Sequence, residues 1–219
     1  MSVAENIARI REGFGNHPVK LIAVTKSAQI PQIEEAFATG ISEFGENRVQ
    51  DALSRIEQLS SEIQQKASWH FIGHLQTNKA KQVVGRFALI HSVDSVKLAA
   101  EISKSAQAKG LVQQILLQVK ILPDPSKSGF SAEELKADFI SISKLPNIEV
   151  CGLMTITPLE AERDEKIACF SGLRELRDEL QMVSGIPLRE LSMGMSDDWQ
   201  QAVACGATMV RIGSAIFRQ

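Results

Sequence analysis

Three features of this sequence carry chemistry. Lys26 closes the run Lys20-Leu21-Ile22-Ala23-Val24-Thr25-Lys26. Side chains alternate along a strand, so Lys26 shares a face with Val24 and Ile22, and its amine is aimed at an interior or at a ligand. Arg211 stands between Val210 and Ile212, where an unpaired guanidinium is costly, so it needs a structural carboxylate or the polar edge of a ligand. Ser192-Met193-Gly194-Met195-Ser196 and Gly213-Ser214 bring small hydroxyls and glycines that let backbone N–H groups approach an anion. Ser196 and Ser214 are each expected to begin a helix. Together these residues point to a phosphorylated ligand, although each alone reads equally well as a solvated lysine or an ordinary cap.

Other reactive side chains lead less far. His70 and His74 are four apart, but Gly73 interrupts any helix between them and no third ligand stands at matching spacing, so no metal site is expected. His91 reads as a satisfied polar residue, and Glu46 as a partner for Arg211 or Lys26. Cys151, Cys169 and Cys205 are widely spaced in apolar surroundings, which fits buried thiols in a reducing compartment. No P-loop, nucleophile elbow or glycosidase carboxylate pair is present. There is no tyrosine in the chain.

The elements that must position these residues follow from hydrophobic periodicity. An amphipathic helix over 2–14 precedes the first strand. Strands are predicted at Lys20–Lys26, Ile41–Asn47, Trp69–Ile72, Phe87–His91, Gln114–Val119, Ile148–Met154, Leu188–Ser192 and Thr208–Ile212. Between them lie a helix from Pro31 to Ala38, a long helix over 49–65, one capped by Thr77, one opened by Asp94, one with a Ser131/Glu134 capping box, one over 162–182 and one from Asp197. Eight alternations with short connections predict a single (β/α)8 TIM barrel, with a doubly wound sheet as the alternative. No linker or composition change divides the chain, so residues 1–219 are expected to form one domain. The loop over 122–129, with Pro123, Pro125 and Gly129, reads as an irregular surface loop near the site.

The bulk composition excludes several classes. A net charge of -2 without basic runs argues against nucleic-acid or anionic-membrane surfaces, and 44% hydrophobic residues over 219 positions suffice for a large core. The apolar runs are strand-sized, and the first residues lack the pattern of a secretory signal, so a cytoplasmic location is expected.

Val24-Thr25-Lys26, Phe44-Gly45-Glu46-Asn47-Arg48-Val49-Gln50, Trp69-His70-Phe71-Ile72-Gly73-His74-Leu75-Gln76-Thr77-Asn78-Lys79, Gly152-Leu153-Met154-Thr155, Leu191-Ser192-Met193-Gly194-Met195-Ser196-Asp197-Asp198-Trp199 and Val210-Arg211-Ile212-Gly213-Ser214 jointly resemble the pyridoxal phosphate homeostasis proteins, the YggS/PROSC family. The resemblance runs from near residue 18 to the C-terminus. It implies a barrel like the N-terminal domain of bacterial alanine racemase, with pyridoxal 5'-phosphate as a Schiff base on Lys26. It further implies that Ser196, Gly213 and Ser214, with the loop from Ser192 to Gly194, hold the phosphate, that Arg211 faces the pyridine nitrogen, and that Asn47, His70 and Met154 line the pocket. Two departures stand out. Arg48 occupies a position where many members have tyrosine, and Ile216-Phe217-Arg218-Gln219 lacks the glycine often found after the phenylalanine.

That resemblance implies a carrier in vitamin B6 and amino-acid homeostasis, monomeric, with apo forms of cofactor-dependent enzymes as recipients. An amino-acid racemase or lyase is the enzymatic alternative, since a lysine imine is the usual starting point for such chemistry. Racemisation needs an acid–base group on each substrate face. In the resembling racemases the second is a tyrosine beside a further domain, and this chain has no tyrosine. A cofactor-free aldolase acting on a sugar phosphate fits the lysine and the phosphate loops as well.

Overall fold

The computed structural model describes residues 1–124 and 127–218; Pro125, Ser126 and Gln219, part of the expected loop and terminus, lie outside the described residues. The strands are β1 (Lys20–Val24), β2 (Glu43–Glu46), β3 (Ser68–Phe71), β4 (Leu89–Val93), β5 (Gln113–Gln118), β6 (Ile148–Met154), β7 (Glu190–Ser192) and β8 (Met209–Ile212). All pairs are parallel and the order β1 to β8 closes on itself, because Lys20, Leu21, Ile22 and Ala23 of β1 pair with Met209, Val210, Arg211 and Ile212 of β8. The predicted barrel is therefore the fold found, and the open sheet is excluded.

Around it run α1 (Val3–Glu12), α2 (Ile30–Ala38), α3 (Val49–Gln58), α4 (Ser61–Lys66), a 3-10 turn at Thr77–Lys79, α5 (Ala80–Val83), α6 (Val96–Ala108), α7 (Ala132–Ser143), α8 (Arg163–Ser184), α9 (Trp199–Ala204) and α10 (Ser214–Phe217). Three expectations are corrected. The helix over 49–65 is two, since Leu59 leaves the helical region at ψ 159° and the Ser60 hydroxyl accepts the Ile63 N–H to start α4. Ser95, not Asp94, caps α6, and Thr77 enters a 3-10 turn without capping it. The Ser131/Glu134 capping box of α7 is present.

Two faces of each strand do different work. Outward side chains such as Phe44, Phe71, Ile90, Ile115 and Leu117 join the helices in the main core. Inward ones, Ile22, Leu89, Leu116, Met154 and Met209, fill the barrel itself. Alternation then puts His91 on the inner face with Leu89, and Arg211 on the inner face with Met209. The interior is thus apolar at its centre with polar groups threaded through it. Cys169 is buried and Cys151 partly so, and burial pushes the Cys151 thiol up to about 12, which leaves it unreactive at neutral pH. No described helix is long and apolar enough to cross a membrane.

Candidate functional site

A cavity of about 450 Å³ opens at the C-terminal ends of the strands, within the range of roughly 300–1,000 Å³ usual for small-ligand sites. Lys26, Asn47, Ser196, Arg211, Gly213 and Ser214 all line it. Side-chain alternation explains the gathering: the residues just beyond β1, β2 and β8 continue the inward-facing series and emerge at the mouth. Gly73, after β3, sits so close to β2 that a Cβ there would lie 2.1 Å from the Asn47 carbonyl oxygen. Only glycine lets the two strand ends meet.

Four expected residues do not line this cavity. His70 sits lower in the barrel, two residues before Ile72, and lines a separate cavity of about 320 Å³ at the N-terminal strand ends. Alternation gives the face of a strand residue but not its height, and each two-residue step moves it by about 6.6 Å. Met154 is fully buried among the barrel-filling side chains. Ser192 is buried beneath the site, bonded to His91 and Arg211. Gly194 is buried too, and its carbonyl accepts the Arg211 N–H.

The loop after β7 is shaped from inside. Gly194 has φ +91°, and a Cβ there would fall 2.6 Å from the Ala202 Cβ. Gly194→Ala is expected to lower stability by about 1–3 kcal/mol, read as a lower denaturation midpoint; an unchanged midpoint would show that the loop tolerates the strain. Ser196 does not begin α9, which starts three residues later. Its hydroxyl instead accepts the Ala215 N–H at 3.2 Å, tying the β7 loop to the β8 loop. Buried Asp198 closes the turn, accepting the Met195 N–H at 2.6 Å and the Thr157 hydroxyl at 2.7 Å. Neither Asp198 nor Thr157 is signalled by sequence spacing, since they are far apart along the chain.

Arg211 has neither a carboxylate partner nor an ion pair among the described residues. It donates to the Ser192 hydroxyl at 2.6 Å and to the Thr155 carbonyl at 2.9 Å. Burial brings its guanidinium down to about 10, against a small opposing pull from Asp198, so it stays charged at neutral pH. A buried cation held only by neutral acceptors retains N–H groups for a polar ligand at the mouth.

Lys26 is exposed at the rim. Its backbone is held by a device the sequence reading missed. Arg55 of α3 donates to the Lys26 carbonyl at 3.4 Å and the Ala28 carbonyl at 2.8 Å. The same guanidinium pairs at 2.9 Å with Glu46, which is fully buried and also accepts the Thr25 hydroxyl. The partner of Glu46 is therefore Arg55, not Arg211 or Lys26. His74 also lines the mouth, 3.3 Å from the Asp94 carboxylate. No group of three or more potential metal ligands occurs among the described residues.

Comparison with known proteins places this geometry. The model of the alanine racemase N-terminal domain matches residues 1–219. The pyridoxal phosphate homeostasis protein of Synechocystis sp. PCC 6803 is 45% identical over 91% of this chain and 90% of its own length. The chain belongs to that family. A second member, from Aquifex aeolicus, is 40% identical over 99% of this chain and 98% of its own length. PipY of Synechococcus elongatus PCC7942, solved with PLP bound, superposes with a TM-score of 0.91 at 40% identity, covering 99% of this chain and all of that one. Alanine racemase of Clostridium difficile 630 shares the fold at 13% identity and a TM-score of 0.81, and the homeostasis-family barrel spans 58% of it.

Proposed function

We propose that this chain, acting as one barrel domain, holds pyridoxal 5'-phosphate at the mouth as a Schiff base on Lys26 and serves intracellular vitamin B6 and amino-acid homeostasis by buffering it and passing it to apo-enzymes. The observation that carries this reading is the convergence of the Lys26 amine, the Arg211 guanidinium and the Ser196, Gly213 and Ser214 loops on one cavity. The donor set fits the group: an amine for the aldehyde, hydroxyls and a glycine for the phosphate, and a buried guanidinium with spare N–H groups for the pyridine nitrogen. Bound there, the cofactor supplies an aldehyde that captures amines and a ring that withdraws electrons. Family membership and the PLP-bound relative support the assignment.

The chain's own residues then have distinct tasks. Lys26 attaches, with Arg55 fixing its backbone. Ser196 and Ser214 orient the phosphate, and the tie from Ser196 to Ala215 keeps the two loops at a fixed spacing. Asn47 lines the same mouth beyond the end of β2. Arg211 would hold the ring nitrogen by donating an N–H that it does not surrender, which would leave the bound ring a weak electron sink.

The test is a visible absorption spectrum of the purified protein incubated with pyridoxal 5'-phosphate, before and after borohydride. A band near that of a lysine imine that borohydride bleaches with covalent retention is expected; a spectrum identical to free cofactor would overturn the proposal. Ser214→Ala is expected to release cofactor to a competing apo-enzyme about ten- to a hundredfold more readily, having lost one hydrogen bond to a charged group. Equal transfer rates would place the phosphate elsewhere. The enzymatic reading has one observation in its favour, the His74–Asp94 pair at the same mouth. Deuterium incorporation at Cα of L- or D-alanine above the rate with free cofactor would make this chain an enzyme; retention of the α-proton is expected.

A further inference from the structure

Below the mouth, an unbroken row of polar contacts crosses the apolar barrel. Arg211 Nη1 lies 2.6 Å from Ser192 Oγ, Ser192 Oγ 2.8 Å from His91 Nδ1, His91 Nε2 2.9 Å from His70 Nδ1, and His70 Nε2 2.6 Å from Glu43 Oε2. The two ends have fixed roles. A guanidinium only donates, and a carboxylate only accepts. We propose that His70 and His91 are positioning residues for Arg211, forming with Glu43 and Ser192 a hydrogen-bond relay between the two ends of the barrel whose two inner links reverse when His70 takes up a proton.

With both imidazoles neutral, one arrangement satisfies every atom. Arg211 donates to Ser192, the Ser192 hydroxyl donates to His91 Nδ1, His91 Nε2–H donates to His70 Nδ1, and His70 Nε2–H donates to Glu43. Four contacts use four protons, one each. His91 is fully buried, and burial, reinforced by the positive charges of His70, Arg211 and Lys20, holds its pKa well below the ordinary range, so it stays neutral. The hydrogen bond from His70 lowers the Glu43 pKa and keeps it a carboxylate.

Uptake of one proton has a single outlet. His91 passes its Nε2 proton to His70 Nδ1 and takes the Ser192 hydroxyl proton on Nδ1, and Ser192 Oγ takes the proton supplied by solvent in its place, so the net gain is one and His91 remains neutral in the other tautomer. His91 now donates to Ser192, which accepts from both sides, and its own hydroxyl proton must turn away from the relay. The Arg211–Ser192 contact is thereby altered from a distance, through a residue that reaches no ligand at the mouth. Solvent reaches His70 from the lower cavity, where the titratable groups facing it are Lys20, Glu43, Glu149, Cys151, Arg189 and Glu190. At the far end, Arg211 is faced by Asp198.

The relay stands on the interior of the barrel; only its effect on a bound cofactor rests on the function proposed above. Nitrogen-15 spectra of the imidazoles would be recorded against pH in the protein without and with pyridoxal 5'-phosphate, alongside the absorption of the loaded protein. We expect one midpoint shared by His70 protonation, the His91 tautomer change and the absorption change. Glu43→Gln should move all three together to lower pH, since an opposite charge at hydrogen-bond distance is removed. Ser192→Ala should leave the His70 midpoint in place while uncoupling the absorption from it, and it covers the case in which Glu43→Gln does not fold. A His91 tautomer that is constant through the His70 midpoint would overturn the relay. So would an absorption profile that stays fixed while Glu43→Gln moves His70. Failure to take up the cofactor at all would sink the proposed function and leave the relay to be judged on the imidazole spectra alone.

Discussion

Lys26→Ala is expected to remove the borohydride-trapped cofactor adduct completely. Lys26 is the only amine among the described residues lining the mouth, and a covalent link cannot form without one. The fold should survive, because the side chain is exposed and its carbonyl remains available to Arg55. Some cofactor would still be held by phosphate contacts and leave on denaturation without reduction scars. Mass spectrometry of the reduced, digested protein distinguishes the cases. An adduct of undiminished yield on another lysine would show that the attachment point is wrong, whereas no adduct in either protein would reject covalent attachment altogether.

The second large effect lies one shell below. Arg55→Ala should cost about 3–5 kcal/mol of stability, because it leaves the fully buried Glu46 without its cation. One carboxylate oxygen of Glu46 already has no partner among the described residues. Burial raises its pKa, more than Thr25 and Arg55 lower it. A carboxyl whose folded-state pKa is raised binds more protons folded than unfolded, so its contribution to stability falls as pH rises through that value. Removing the guanidinium raises it further. The loss in Arg55→Ala should therefore be greater at neutral pH than in mild acid, and Glu46→Gln in the same chain should recover much of it. Denaturant unfolding at the two pH values provides the measurement; a loss below about 1 kcal/mol at both, typical of an exposed pair, would demote the contact to surface decoration. The same variant frees the Lys26 backbone, so slower cofactor attachment should accompany the instability.

These two residues also mark where sequence reading succeeds and where it stops. Lys26 is visible because parallel barrel strands are buried on both faces and read as short apolar runs, so a charged residue at the end of one stands out. Ser196, Arg211, Gly213 and Ser214 follow once the last strands are numbered, since the mouth of a barrel is defined by strand ends. Arg55 gives no such signal: it sits on a polar helix face like many exposed arginines, and its contacts are carbonyls 27 and 29 positions away. The height of His70 escapes sequence reading for a different reason. Period-two patterning reports which way a side chain points, and the relative heights of neighbouring strands depend on pairing registers that local sequence does not encode.

The seam of the barrel joins β1 to β8, and the side chain of Asn6 in α1 donates to the Ile216 carbonyl in α10, 210 positions away. Lys26, just beyond β1, and Arg211, in β8, are thus brought together by closure of the ring. While the chain is still emerging from a ribosome, the amine exists but the guanidinium and the β8 loop that face it do not. The mouth is complete only after β8 docks on β1, so an unclosed barrel cannot present the amine and the guanidinium to one cavity.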